Sequence, residues 1–259
     1  MSSAKRKIYF ASDFHLGVPN FQESLERERL IVQWLDEIKN EAAAIYLVGD
    51  IFDFWFEYKN AIPKGFVRLQ GKIAELTDAG IPIHFFTGNH DMWMFGYHEE
   101  ELGIKIHRKP IVVEAQGKKI YIGHGDGLGP GDHGYKFIKK VFSNRFFQWC
   151  FARLHPNFGI GIANYFSRSS RAATGNEDDK HLGEENEWLA IYAKEMLKES
   201  HYDYFIFGHR HLPLKIHVGK ESTYYNLGDW LKYFTYGELE AGEMKLKVYP
   251  SNQLYPFDV

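Results

Sequence analysis

In this chain Asp, His and Asn recur just after short apolar runs. Asp13-Phe14-His15 follows Ile8-Tyr9-Phe10-Ala11, and Gly49-Asp50, with Asp53 close behind, closes Ala44–Val48. Gly88-Asn89-His90-Asp91 follows the run Ile81–Phe86, Gly123-His124-Gly125-Asp126 follows Ile120–Ile122, and Gly208-His209-Arg210-His211 follows Tyr204–Phe207. Each group alone could be a strand-end cap or a satisfied core histidine. Together they bring oxygen donors and imidazoles to one place with no thiolate, a set that suits Mn²⁺, Fe²⁺, Zn²⁺ or Co²⁺. The donors exceed what one ion needs, so a carboxylate shared between two sets would bridge a metal pair, as in two-metal hydrolases. Asp13 with His15, and His209 with His211, are spaced to point the same way from an extended segment.

The elements that must position these residues can be read from the hydrophobic pattern. Residues 8–11, 44–48 and 81–86 read as continuous apolar strands, separated by helical periodicity over 23–40 and 66–79. That alternation predicts a mostly parallel sheet covered on both faces, with ligands at the carboxyl ends of the strands. Further strands are expected at 111–113, 120–122, 204–207, 214–217, 223–226 and 245–248, with a hairpin turn at Gly117-Lys118. Residues 134–200 read as a helical insertion within one domain spanning 1–259, and 168–187 as a polar loop or weak helix.

The bulk numbers narrow the function. The 259 residues carry 31 Lys and Arg against 34 Asp and Glu, a net charge of −3 that argues against a nucleic-acid partner. The lone cysteine, Cys150, cannot form an internal disulfide, fits a reducing compartment and reads as a packing thiol among Phe147, Trp149 and Phe151. The opening Met1–Lys7 is polar and basic with no apolar leader core, and no run is long enough to cross a membrane.

Asp-x-His, Gly-Asp, Gly-Asn-His-Asp, Gly-His and Gly-His-x-His, in this order over residues 8 to 230, resemble the signature of the calcineurin-like metallophosphoesterases. The resemblance implies an α/β four-layer sandwich, two mixed β-sheets flanked by helices, with the insertion as a lid. It implies two divalent ions, Mn²⁺ foremost. One would sit on Asp13, His15, Asp50 and His211, and the other on Asp50, Asn89, His124 and His209. A hydroxide between the ions would attack phosphorus in line. His90 would stabilise the transition state or protonate the leaving oxygen, and Asp91 would orient it.

Within that family, Asp50-Ile-Phe-Asp-Phe-Trp55, His124-Gly-Asp-Gly-Leu128 and Gly131-Asp-His-Gly-Tyr-Lys136 look like the bacterial UDP-2,3-diacylglucosamine pyrophosphohydrolases of lipid A synthesis. These cleave the pyrophosphate at the α-phosphorus to UMP and 2,3-diacylglucosamine 1-phosphate. The best-known branch carries Arg after the ligand Asn, where this chain has His90. The implied partners are a lipid-linked UDP-sugar and a membrane surface, with no obligatory protein partner. The implied location is cytoplasmic, peripheral to the inner membrane. The segments 135–142 and 145–154 mix aromatics with Lys136, Lys139, Lys140, Arg145 and Arg153, which suits an acyl-chain pocket and an anionic surface. Asn89, His90, Asp132, Tyr135, Arg168, Arg171 and Lys180 are the candidate substrate contacts. Two alternatives stand beside this reading. One is a phosphodiesterase or phosphatase of the same fold acting on another nucleotide or phosphoester. The other is an inactive scaffold, against which the intact donor set argues, because such a polar cluster is costly to bury without metal.

Overall fold

The computed structural model describes residues 6–129, 133–163, 165, 183 and 185–257. The first half follows the expected alternation: β1 (Lys7–Ala11), α1 (Phe21–Ile38), β2 (Ala42–Val48), α2 (Val67–Asp78), β3 (Ile83–Phe86). A short α3 (Tyr97–Leu102) and β4 (Lys105–His107) follow, neither evident in the sequence. The hairpin β5 (Ile111–Ala115) and β6 (Lys118–Ile122) turns at Gln116-Gly117, one residue earlier than expected. Then come α4 (His133–Phe142), α5 (Arg145–Phe151), α6 (156–163) and α7 (Trp188–Met196). Strands β7 (Tyr204–Phe207), β8 (Pro213–His217), β9 (Thr223–Leu227), β10 (Thr235–Glu240), β11 (Glu243–Val248) and β12 (Gln253–Leu254) complete the described chain.

These strands form two mixed sheets. The seven-stranded sheet has the order β12-β11-β10-β1-β2-β3-β4, and the five-stranded sheet the order β5-β6-β7-β9-β8. β1 to β4 run parallel while β10 to β12 join antiparallel; β6, β7 and β9 run parallel with β5 and β8 antiparallel at the edges. Side-chain alternation divides each strand between two cores. Tyr9 and Ala11 of β1 pack with Ile31, Trp34 and Leu35 of α1 and Leu69, Ile73 and Leu76 of α2. Ile8 and Phe10 of the same strand pack between the sheets with Ile120, Ile122, Ile206 and Leu227. Beyond the second sheet, Phe205, Phe207 and Tyr224 pack under Leu189, Ala190 and Ala193 of α7. The result is four layers, helix, sheet, sheet, helix, as the resemblance implies.

The insertion rests on the loops after β2 and β3. Phe142 and Phe151 lie 5.3 and 4.8 Å from the Trp93 ring, and Trp93 Nε1–H donates to the Phe142 carbonyl at 2.8 Å. Phe56 reaches Phe151 at 4.7 Å. Those contacts fix α4 and α5 beside the strand ends and leave Phe137, Phe146, Phe147, Trp149, Phe158 and Tyr165 facing solvent. No described helix is long and apolar enough to cross a membrane.

Candidate metal centre

The carboxyl ends of β1, β2, β3, β6 and β7 meet at one edge. The Asp13 N–H donates to the Gly49 carbonyl and the Gly208 N–H to the His124 carbonyl, each at 3.0 Å, so loops within each sheet are tied side by side. The His209 N–H donates to the Asp13 carboxylate at 3.0 Å, which joins the two sheets. Asp13, His15, Asp50, His209 and His211 all have positive φ, between 44° and 70°. The pairs Asp13/His15 and His209/His211 therefore do not project from extended backbone, as their spacing suggested. Sharp left-handed turns aim them inward instead, a conformation L-residues hold only when their surroundings enforce it.

The donors gather into triads. Asp13, His15 and His211 form one, and Asp50, His124 and His209 another. The Asp50 carboxylate lies between them, its Oδ2 3.2 Å from His124 Nε2 and 3.9 Å from His15 Nε2. Asn89 Oδ1 is 3.3 Å from His124 Nε2. A third triad, His15, Asp53 and His90, includes a carboxylate that sequence reasoning noted but gave no role.

The surrounding groups fix the imidazoles. His124 Nδ1–H donates to the Val48 carbonyl at 2.8 Å, which turns Nε2 toward the site. His211 Nδ1 faces the buried Asp229 carboxylate at 3.3 Å. Asp229 was missed, yet it had a signal: Gly228-Asp229 repeats, at the end of β9, the Gly-Asp of β2. His90 Nδ1 lies 3.0 Å from the Asp53 carbonyl and 3.5 Å from its carboxylate. Asp91 accepts instead from the backbone N–H groups of Gly88 and Ile51, both at 2.8 Å, and Phe52 at 3.3 Å. The orienting role expected of Asp91 thus falls to Asp53, and Asp91 pins the loop because its carboxylate is consumed by backbone donors.

The electrostatics call for cationic charge. Burial alone would lower His124, but Asp50 and then Asp13 and Asp126 reverse this and lift it to about 10. His211, likewise lowered by burial alone, is lifted to about 9, by Asp13 first and then Asp229. Burial raises Asp13, yet His15, His211 and His124 outweigh it and hold the carboxyl at about 2. His209 is pushed down to about 4 by burial and by His124. Asp13 Oδ1 is buried with no hydrogen-bond partner among the described residues, 3.5 Å from His211 Nε2 and 3.6 Å from His15 Nε2. An orphaned carboxylate oxygen ringed by imidazoles, next to a second ring around Asp50, fits two divalent ions of mixed N/O preference.

The other candidates are placed as follows. Asp132, Arg168, Arg171 and Lys180 lie outside the described residues, and Tyr135 lies in α4 with its side chain outside them. Of the basic residues expected at a membrane, Lys136 and Lys139 turn inward, donating to the carbonyls of Gly129 and Asp126 at 2.6 and 2.9 Å. Lys140, Arg145 and Arg153 remain exposed.

The chain matches the calcineurin-like phosphoesterase family over residues 6–213. UDP-2,3-diacylglucosamine hydrolase of Porphyromonas gingivalis is 40% identical over 257 residues, covering 94% of this chain and 97% of that one. Proteins of the same name from Vibrio vulnificus and Histophilus somni are 28% identical (85% and 88% covered) and 25% identical (87% and 92% covered). With a family match over that much of its length, running from β1 to the last histidine of the metal centre, this protein belongs to the calcineurin-like phosphoesterases.

Proposed function

We propose that the protein is a metal-dependent hydrolase of UDP-2,3-diacylglucosamine, releasing UMP and 2,3-diacylglucosamine 1-phosphate. The observation that carries this is the 40% identity to a hydrolase of that name across nearly the whole of both chains. Asp13, His15, Asp50 and His211 would hold one ion, and Asp50, Asn89, His124 and His209 the other, Mn²⁺ being the first candidate. When bound, the ions supply charge that neutralises the pyrophosphate oxygens and polarises the attacked phosphorus. His90, its Nδ1–H held on the Asp53 carbonyl, meets a phosphoryl oxygen through Nε2 and as an imidazolium donates a hydrogen bond to the charge that develops there. Asp91 keeps Gly88, Ile51 and Phe52 in register so that Asp50 and Asn89 stay aimed. Residues 1–259 would work as one domain carrying the 134–200 insertion.

The exposed aromatics of α4 and α5, edged by Lys140 and Arg153, support peripheral attachment to an anionic membrane, with the acyl chains passing over this face. Incubation with UDP-2,3-diacylglucosamine and Mn²⁺ should yield UMP and the sugar phosphate, and chelation should stop it. Asp50→Ala should abolish metal binding and turnover together. Turnover of a simple phosphodiester with none of the UDP-lipid would replace this reading by a phosphodiesterase. Flotation with anionic liposomes at low salt checks the membrane contact.

A further inference from the structure

A cavity of about 430 Å³ opens beside the metal centre, between the Gly88 and His124 loops and the helices α4 and α5. That is within the usual range for small-molecule sites. Its lining includes His124 of the metal centre and the aromatic side chains Phe86, His107 and Phe95. Its charge is one-sided. Asp126 lines it but is matched by Lys139, at 2.5 Å. Arg108, Lys109 and Arg145 also line it, and none of the three makes an ion pair among the described residues. Arg108 is braced by an Nη2–H to the Met94 carbonyl at 2.8 Å. In a chain of net charge −3, three unmatched cations on one cavity mark a place for an anion.

We propose that this cavity binds the nucleoside 5′-phosphate end of the substrate. The proposal rests on the function above and deepens it, by assigning the two ends of that molecule to different faces. Two acyl chains need long apolar walls, and the lining here includes Arg108, Lys109 and Arg145. The large apolar side chains of α4 and α5 that could meet acyl chains, Phe137, Phe146 and Trp149, face solvent and do not line the cavity. A nucleotide pairs a flat ring with a compact anion, which matches a lining that combines aromatic rings with unmatched cations. The acyl chains expected under the insertion would then lie outside this cavity, toward the exposed aromatics of α4 and α5.

The test uses the full-length protein with Mn²⁺ and compares wild type with Lys109→Ala/Arg145→Ala. Two product probes are titrated, UMP by calorimetry and as an inhibitor, and 2,3-diacylglucosamine 1-phosphate as an inhibitor. The expected result is that UMP binding and the KM for UDP-2,3-diacylglucosamine each weaken about tenfold or more, with a smaller change in kcat and in inhibition by the sugar phosphate. Weaker inhibition by the sugar phosphate with UMP unchanged would overturn the proposal and place the glycolipid phosphate here. No change with either probe would overturn it too. The calorimetric arm does not depend on turnover. If UMP binds wild type and not the variant while the UDP-lipid is not hydrolysed, the proposed function falls and the nucleotide subsite stands.

Discussion

At the scale of single residues, the two groups most open to test are His90 and Asp53. His90 is outside both ligand sets proposed above, and its ring Nδ1 lies 3.0 Å from the Asp53 carbonyl. His90→Ala should keep both metals, measured by elemental analysis, and lower kcat by roughly 10²- to 10⁴-fold. Loss of metal would make it a ligand. Asp53→Asn should lower kcat by a smaller factor while metal content holds, because the carbonyl that orients His90 remains. The donor types were legible in the sequence because each sits directly after an apolar strand. What Asp53 and Asp229 do was not, although both stand close after a strand-end glycine, because they act through other side chains. Asp53 reaches His15 and His90 from a loop, and Asp229 reaches His211 across a loop, and no spacing rule reports either contact.

At the scale of elements, the turns decide whether the donors converge. A Cβ on Gly88 would lie 2.7 Å from the Asp50 backbone nitrogen and closer still to its carboxylate. Gly88→Ala should therefore displace Asp50 and remove activity, with a loss of metal that equilibrium dialysis would detect. The return of the insertion is anchored to the opposite side of the centre. Glu187, at the N-cap of α7, pairs with Arg210 at 3.2 Å and accepts from the Tyr224 hydroxyl at 3.4 Å, while the guanidinium stacks on Trp188 at 4.6 Å. Arg210 sits between His209 and His211, and both members of the pair are buried. Glu187→Ala removes a carboxylate from a buried guanidinium and should cost about 3–5 kcal/mol in denaturant melts. Glu187→Gln should fold and bind metal roughly 10-fold more weakly. Equal metal affinity in Glu187→Gln would limit the pair to stability. The sequence showed most strands but not β10, which pairs with β1 in the middle of the larger sheet. Its Thr-Tyr-Gly-Glu-Leu-Glu has few apolar residues, and a side chain at Gly237 would press on Met244, Leu227 and Phe10.

At the scale of the whole molecule, the space between the sheets carries an acid-sensitive pair. His84 of β3 lies with its Nδ1 2.9 Å from His107 Nε2 of β4 and stacks on Tyr46 at 4.5 Å. Burial, then His107 and Lys105, hold His84 down at about 4 from its ordinary 6.5. The unfolded chain takes that proton near pH 6.5 and the folded chain refuses it until about pH 4, so stability is full above the first value and is lost as pH falls toward the second. His107, lowered by burial and Lys105, adds to the same slope. In His84→Phe, the drop in melting temperature between about pH 7.5 and about pH 5 should shrink relative to wild type. The division of the metal centre between the two sheets has a further consequence, in the order of synthesis. Asp13, His15, Asp50 and Asn89 leave the ribosome with the parallel strands β1 to β3 of the larger sheet, and His124, His209 and His211 only with the smaller one. A nascent chain short of residue 211 offers an incomplete set of donors, so the full set exists only once both sheets have been made and brought together.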